Sequence, residues 1–353
     1  MFLEKEGKLI YSYDGETVCI EAWGKDALRV RVTKNRSFTG RDWALEAKDA
    51  HAGEVEIFED PSAKGGAFAN MYEGTDTSYG KITNGKLHAV IDSGSVITFY
   101  HEDGRVLLKE HFRRLRDEES MPLNIMGREY SNGVGDNFRI VARFVARKGE
   151  KIFGMGQYQQ HELDLKGCML ELAQRNSQVS VPFYLSSIGY GFLWNNPGVG
   201  QVMFANNGTE WVTESGKEID YLVIAGDTPA EIEENYMTLT GKPPMMPEYG
   251  MGFWQCKLRY WNQEQLLSVA RKYKELGVPL DVIVVDFFHW TKQGEFKFDP
   301  KYWPDVPGMC RELKEMGIQV VVSVWPTVDI YSENFEEMNC LLYTSPSPRD
   351  RTR

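Results

Sequence analysis

From Lys8 to about Ala225 the chain alternates short β-rich runs with turn residues: KLIYSYD, TVCIEAW, ALRVRVT, EVEIF, KLHAVID, SVITFY, FRIVARFVA, YGFLWNN, QVMFAN and IDYLVIA. Apolar and polar positions that alternate between Gly, Asn and Asp punctuation predict antiparallel strands and hairpins, and so many of them predict a large β-sandwich. Asn84-Gly85 and Asp103-Gly104 are hairpin turn signals. A helix is then expected to start at Thr228, with Pro229 at its first position and Glu231 completing a capping box, and to end at Gly241. KPPMMP, Lys242 to Pro247, cannot continue it and reads as a stiff linker.

Beyond the linker the hydrophobic period changes. Tyr249 to Gln255 reads as a strand, and Asn262 caps a helix whose Leu266, Val269, Ala270, Tyr273 and Leu276 share one face, with Gly277 ending it. LDVIVVD is almost wholly apolar, as a strand buried on both faces must be. Asp305 caps the next helix, with Val306, Met309, Leu313 and Met316 inward; Gly317 ends that one and IQVVVSVW follows as a strand. KELGVPLDVIVVD and KEMGIQVVVSVW thus repeat one helix–glycine–strand module, which implies a parallel sheet. No glycine-rich phosphate loop follows the first strand, so a (β/α)8 barrel is favoured over a dinucleotide-binding fold. The expected organisation is a β-sandwich over 1–225, a helix and Pro-rich linker over 226–247, and the first three βα units of a TIM barrel over 248–339.

Residues 340–353, CLLYTSPSPRDRTR, break this pattern without helix cap, strand or turn logic and read either as foreign to the protein or as a genuine disordered tail. Cys340 to Asp350 resembles the in-frame translation of a transposase sequencing adapter, so the run is set aside as non-native and the natural protein is expected to be longer.

Composition narrows the function. With 353 residues and 12% aromatics the chain is an ordinary globular protein, and its formal charge of −11 offers no basic field for nucleic acid or an anionic membrane. MFLEKEGKLIY lacks the apolar core of a secretory signal, and no run approaches the roughly 20 apolar residues of a membrane span, so a cytoplasmic protein is expected. Cys19, Cys168, Cys256, Cys310 and Cys340 are scattered and odd in number, which suits buried free thiols rather than disulfides or zinc. Gly154-Met155-Gly156-Gln157 is too short for a phosphate cradle and reads as a tight sheet turn; His161, Glu162 and Asp164 read as a solvated loop rather than a metal site. No cofactor and no metal are implied.

In a TIM barrel the chemistry sits at the carboxyl ends of the strands, here Trp254 to Tyr260, Asp286 to Trp290 and Trp325 to Asp329. Asp286 follows four apolar residues, and a carboxylate there needs a partner: a substrate hydroxyl, a loop it caps, or Lys257 or Arg259. Trp325 is either a sugar-stacking platform or rim packing, and Trp254 either contacts substrate or belongs to the core. His289 is better explained by hydrogen-bonded packing than by ligation.

These strand ends resemble glycoside hydrolase family 31, the α-glucosidase and α-xylosidase family. The residues that carry the resemblance are GMGQ at 154–157, PFYLSSIGYGFLWNNP at 182–197, YGMGFWQCKLRY at 249–260, PLDVIVVDFFHW at 279–290, FKFDPKYWPDVPGM at 296–309 and VVSVWP at 321–326. The resemblance implies a galactose mutarotase-like sandwich before a catalytic barrel, and a retaining α-glycosidase of carbohydrate catabolism. It places Asp286 on the aspartate that accepts hydrogen bonds from hydroxyls of the cleaved sugar, and Trp325 on a tryptophan lining the same subsite. It puts Phe287 and Phe288 where α-glucosidases commonly carry smaller or polar residues beside the sugar's C6 group. Two rings there tilt the expectation to an α-xylosidase, with an α-glucosidase as the alternative. Trp254, Lys257 and Arg259 lie in a segment similar to the WQSKxRY pattern of xylosidase-like members. The partner implied is an oligosaccharide or α-glycoside, with a homo-oligomer open for the complete enzyme. Retention needs two carboxyl groups about 5 Å apart. The family carries its nucleophile after the fourth barrel strand and its acid/base aspartate farther on, so no catalytic carboxylate is assigned here and this chain is expected to be inactive.

Two readings of other classes stay open at this point. The sandwich could be a non-catalytic carbohydrate-binding module, or an aldose-epimerase-like domain, which would need a histidine and a carboxylate converging on a sugar-sized site.

Overall fold

The computed structural model describes residues 1–46, 49–61, 77–111, 113–114 and 124–344, and divides into two compact units, Met1–Pro243 and Pro244–Arg353. The last residues of the tail, 345–353, lie outside the described residues.

In the first unit every strand pair among the described residues is antiparallel. A nine-stranded sheet runs in the order Phe2–Lys5, Lys8–Tyr13, Glu16–Trp23, Ala27–Thr33, Ile219–Ala225, Tyr190–Trp194, Val179–Ser186, Ile152–Gln157, with the short Ala50–His51 paired to Glu16–Trp23. Two five-stranded sheets share its core, one built from residues 54–109 and the other from strands between Arg128 and Gly216. Leu9, Ile20 and Val30 of the large sheet, Ile82, Ala89 and Phe99 of the second, and Ile140, Phe144 and Trp211 of the third form one buried cluster. The predicted sandwich is therefore present, with ten of its predicted runs found as strands to within a few residues.

Ile219–Ala225 is buried at every position. Its alternate residues Ile219, Tyr221, Val223 and Ala225 enter the main core, while Leu222 and Ile224 face a second cluster beneath helix α1, Pro229–Thr240. Asp220, the polar exception, is matched by the guanidinium of buried Arg29 at 2.6 and 3.0 Å. Thr228 caps α1 through a bond from the Glu231 amide to its hydroxyl, 3.2 Å, but the Glu231 carboxylate accepts from Asp227 rather than completing the box on Thr228. Ile232 and Leu239 of α1 are buried with Phe183 and Leu193, and Tyr236 stacks on Phe183 at 3.8 Å. The helix thus packs as part of the sandwich unit, which closes at Pro243, whereas the sequence grouped it with the linker.

GMGQ is corrected from a turn to an irregular stretch of strand. Ile152–Gln157 pairs with Val179–Ser186, and the register slips between Gly154 and Gly156, where Gly154, Met155 and Gly156 all have positive φ. The bulge turns Met155 fully inward, and only glycine on either side tolerates the approach of the partner strand's backbone. The cysteines also depart from expectation. All five are free and Cys19 is buried, but Cys168 is half-buried and Cys256, Cys310 and Cys340 are exposed.

The second unit is built on three parallel strands, β1 (Trp254–Gln255), β2 (Val282–Val285) and β3 (Gln319–Val322), with β2 in the middle. The first strand is much shorter than Tyr249 to Gln255, because Glu248–Met251 forms a 3-10 turn. Helices α2 (Gln263–Glu275) and α3 (Val306–Glu315) begin at the expected caps, with Asn262 accepting from the Gln265 amide at 2.9 Å and Asp305 from the Gly308 amide at 2.8 Å. Leu266, Leu267 and Ala270 of α2 and Met309 and Leu313 of α3 pack with Ile283, Val285 and Trp303. Leu276, predicted inward, is exposed, since the helix has already ended beside Gly277 at φ 64°. A last helix, α4 (Phe335–Thr344), carries the chain into the tail, so its first residues are helical rather than irregular. Among the described residues no helix is long and apolar enough to cross a membrane.

Candidate functional site

Parallel pairing of Gln255 with Ile283 and of Val285 with Val322 brings the three strand ends to one rim. Asp286 leaves β2 half-buried, and its Oδ1 accepts from the amide of Phe287 at 2.8 Å. Its Oδ2 faces the Cys256 thiol, which follows β1, at 3.8 Å. Neither Lys257 nor Arg259 pairs with it among the described residues, so of the partners expected for Asp286 only the loop-capping bond is present, and one oxygen is left to a thiol. Burial, and then the Asp286 carboxylate, push the Cys256 thiol up.

An aromatic wall follows Asp286 directly in the chain. Phe287 stacks on Trp325 with centroids 5.3 Å apart and planes at 23°, and Phe288 meets Phe287 edge-on at 4.6 Å. Phe288 also lies 6.0 Å from both Trp325 and Trp290. Its backbone is left-handed, φ 61°, and the residue is 51% exposed. The Arg259 guanidinium sits 3.6 Å from the Trp261 ring and 5.2 Å from the Phe288 ring. Trp325 is 40% exposed, with Phe287, Phe288 and Trp290 against it at 5.3, 6.0 and 6.1 Å.

The structure thus brings together Asp286, Phe287, Phe288, Trp325 and Arg259. Lys257 is exposed and joins no ion pair among the described residues. Trp254 is not core: it is 44% exposed and its indole N–H donates to the Gly250 carbonyl at 3.3 Å, apart from the aromatic wall. Cys256, expected only as a buried free thiol, and Trp261, not singled out by the sequence, also stand at this rim; the signal for both is their place in WQCKLRYW. His289 is buried, donates from Nδ1 to the Asp286 carbonyl at 3.1 Å, and packs on Trp290 and Phe298, as expected; burial holds its pKa below the usual 6.5.

Elsewhere the sandwich unit holds a polar cavity of about 30 Å³ lined by Glu16, Ser95, Glu110, His111 and Arg128. It bears on the epimerase reading, since a histidine and a carboxylate do line it. Glu110 is committed to Arg128 at 3.0 Å and to the Ile97 amide at 3.0 Å, and burial raises its pKa. The volume suits about one water molecule, far below the 300 Å³ or more of a ligand pocket. Among the described residues no group of three His, Cys, Asp or Glu could hold a metal; Asp164 spends Oδ1 on the amides of Ile152 and Lys166.

Comparison with known proteins agrees with this architecture unit by unit. Residues 17–202 match the glycosyl hydrolase 31 N-terminal galactose mutarotase-like domain, and residues 243–347 match the glycosyl hydrolases family 31 TIM-barrel domain. The chain is 42% identical over 347 residues to an uncharacterized family 31 glucosidase, ORF2, of Pseudescherichia vulneris, covering 95% of this chain and 62% of that protein. It is 36% identical over 212 residues to an alpha-xylosidase of Saccharolobus solfataricus, covering 57% of this chain and 29% of the other. The structure of a family 31 α-xylosidase from a soil metagenome, complexed with xylose, superposes with a TM-score of 0.84 at 44% identity, over 97% of this chain and 50% of that one. Even the two matches that take in nearly all of this chain are covered to only 62% and 50% of their own length. A sandwich and a parallel barrel segment, each matched by its own family model and in the family's order, place this chain in glycoside hydrolase family 31.

Proposed function

We propose that this chain is part of a retaining α-glycosidase that acts on α-xylosides in preference to α-glucosides. The observation that carries the reading is the wall of Phe287, Phe288 and Trp325 that starts directly after Asp286. Asp286 offers a sugar hydroxyl an acceptor, Trp325 offers the apolar sugar face a stacking surface, and the exposed Phe288 ring fills volume that a C6 hydroxymethyl would need. Xylose lacks that group. Arg259, 5.2 Å from the Phe288 ring, supplies a hydrogen-bond donor at the same rim. That a relative of 44% identity is an α-xylosidase complexed with xylose supports the sugar class.

The nucleophile and the acid/base belong, by the family resemblance, to barrel segments other than these residues. The 353-residue chain is then a glycone-subsite fragment without turnover. Purified and assayed with aryl α-xyloside and α-glucoside, it should release no phenol; hydrolysis abolished by Asp286→Ala would show that the catalytic carboxylates are misplaced in this account. The same reading keeps residues 340–353 as foreign to the natural protein, although helix α4 and the barrel match both extend into them. Recovery of CLLYTSPSPRDRTR in frame with a stop codon from source DNA would end that part of it.

A further inference from the structure

The turn at 41–44 in the sandwich unit is anchored by more buried chemistry than a surface turn requires. Arg29, 0% exposed and already forked onto Asp220, donates from Nη1 to Asp42 Oδ1 at 2.7 Å and from Nη2 to the Arg41 carbonyl at 2.9 Å. Buried Asn195 donates to the Asp42 carbonyl at 3.1 Å and accepts from the Ala44 amide at 3.2 Å. Leu45 closes the turn, its amide donating to the Asp42 carbonyl at 3.0 Å and its side chain buried in the cluster that holds Trp23.

What these anchors present is Trp43. Its backbone is left-handed, φ 53°, a region sparsely populated by bulky residues, and the residue is 44% exposed. The Arg41 guanidinium lies 5.3 Å from its ring centroid and forms no ion pair among the described residues. A fold stabilised by burying indole would turn this ring inward, as it does Trp23, Trp194 and Trp211. Here a rigid polar scaffold holds it out.

The geometry points to a carbohydrate-binding platform at Trp43, with the indole stacking on the C–H face of a pyranose and Arg41 donating to the sugar's hydroxyls. An uncharged oligosaccharide fits best, because the chain carries a net charge of −11 while, among the described residues, the Arg41 guanidinium lies over the Trp43 ring. This platform is a second binding site, separate in its residues from the aromatic wall at Asp286.

The test is ¹⁹F NMR of the 353-residue chain labelled with 5-fluorotryptophan, the Trp43 resonance being assigned by its loss in Trp43→Phe. Titration with a xyloglucan oligosaccharide, and separately with maltoheptaose, should shift the Trp43 resonance with at least one of them. Arg41→Ala, which leaves the ring in place, should weaken that response roughly threefold, and Trp43→Ala should weaken oligosaccharide binding in affinity electrophoresis roughly tenfold. Shifts at Trp325 or Trp254 report on the barrel site, so failure of either reading is seen separately. A Trp43 resonance that stays fixed at millimolar concentrations of both sugars, or a Trp43→Ala chain that binds unchanged, overturns the proposal.

Discussion

Replacing Phe288 with glycine separates a ring kept for substrate selection from one kept for packing. The ring is 51% exposed, so about half of a phenylalanine's burial is lost, about 1 kcal/mol. Its edge contact with Phe287 at 4.6 Å and the Arg259 guanidinium at 5.2 Å together contribute about 1 kcal/mol more. Against this, glycine relieves the left-handed backbone at φ 61°, about 1–2 kcal/mol. The net loss should therefore be within about 1 kcal/mol. Urea unfolding of the chain, followed by helical circular dichroism, should show a midpoint shift of less than about 1 M. In the complete enzyme the same variant should lose about 10- to 100-fold of its xyloside over glucoside preference, the range expected for admitting one small group. A stability loss of 3 kcal/mol or more, the cost of emptying a buried phenylalanine site, would refute the reasoning, as would an unchanged preference.

Three further outcomes follow from the same geometry. In the complete enzyme Asp286→Asn should lower kcat/KM for aryl α-xyloside at least 100-fold with an unchanged unfolding midpoint, since the carboxylate makes few contacts in the fold; steady-state kinetics and a melt check it. Cys256 should react slowly with iodoacetamide at pH 8 for an exposed thiol, and Asp286→Asn should speed it, because one of the groups that raise its pKa is removed; peptide mass mapping of the labelling rate decides. His289 has its pKa lowered by burial, so the folded state resists its protonation and its contribution is complete above the usual 6.5 and is lost as pH falls from there through the lowered value. Urea midpoints measured from pH 7 down to 5 should fall, and fall less in His289→Gln.

What the sequence made legible is what local chemistry decides. Asn262 and Asp305 cap helices because their side chains reach amides three residues on, and LDVIVVD announces a strand covered on both faces. Non-local partners decide the rest. The GMGQ bulge exists because Val179–Ser186 lies beside it, and α1 joins the sandwich because Phe183 and Leu193 offer it an apolar floor. At the rim, barrel logic gathered Asp286, Phe287, Phe288 and Trp325 in advance. It could not show that strand register sets Cys256 against Asp286, that Arg259 lies on Trp261, or that Phe288 is held out by a left-handed backbone.

The central claim is most directly tested by joining these residues to the remaining barrel of the natural gene and following hydrolysis of paired aryl α-xyloside and α-glucoside by proton NMR. A retaining α-xylosidase should release α-xylose as the first-formed anomer, with a kcat/KM at least tenfold higher for the xyloside. Release of the β anomer, or an equal or higher specificity constant for the glucoside, would contradict it.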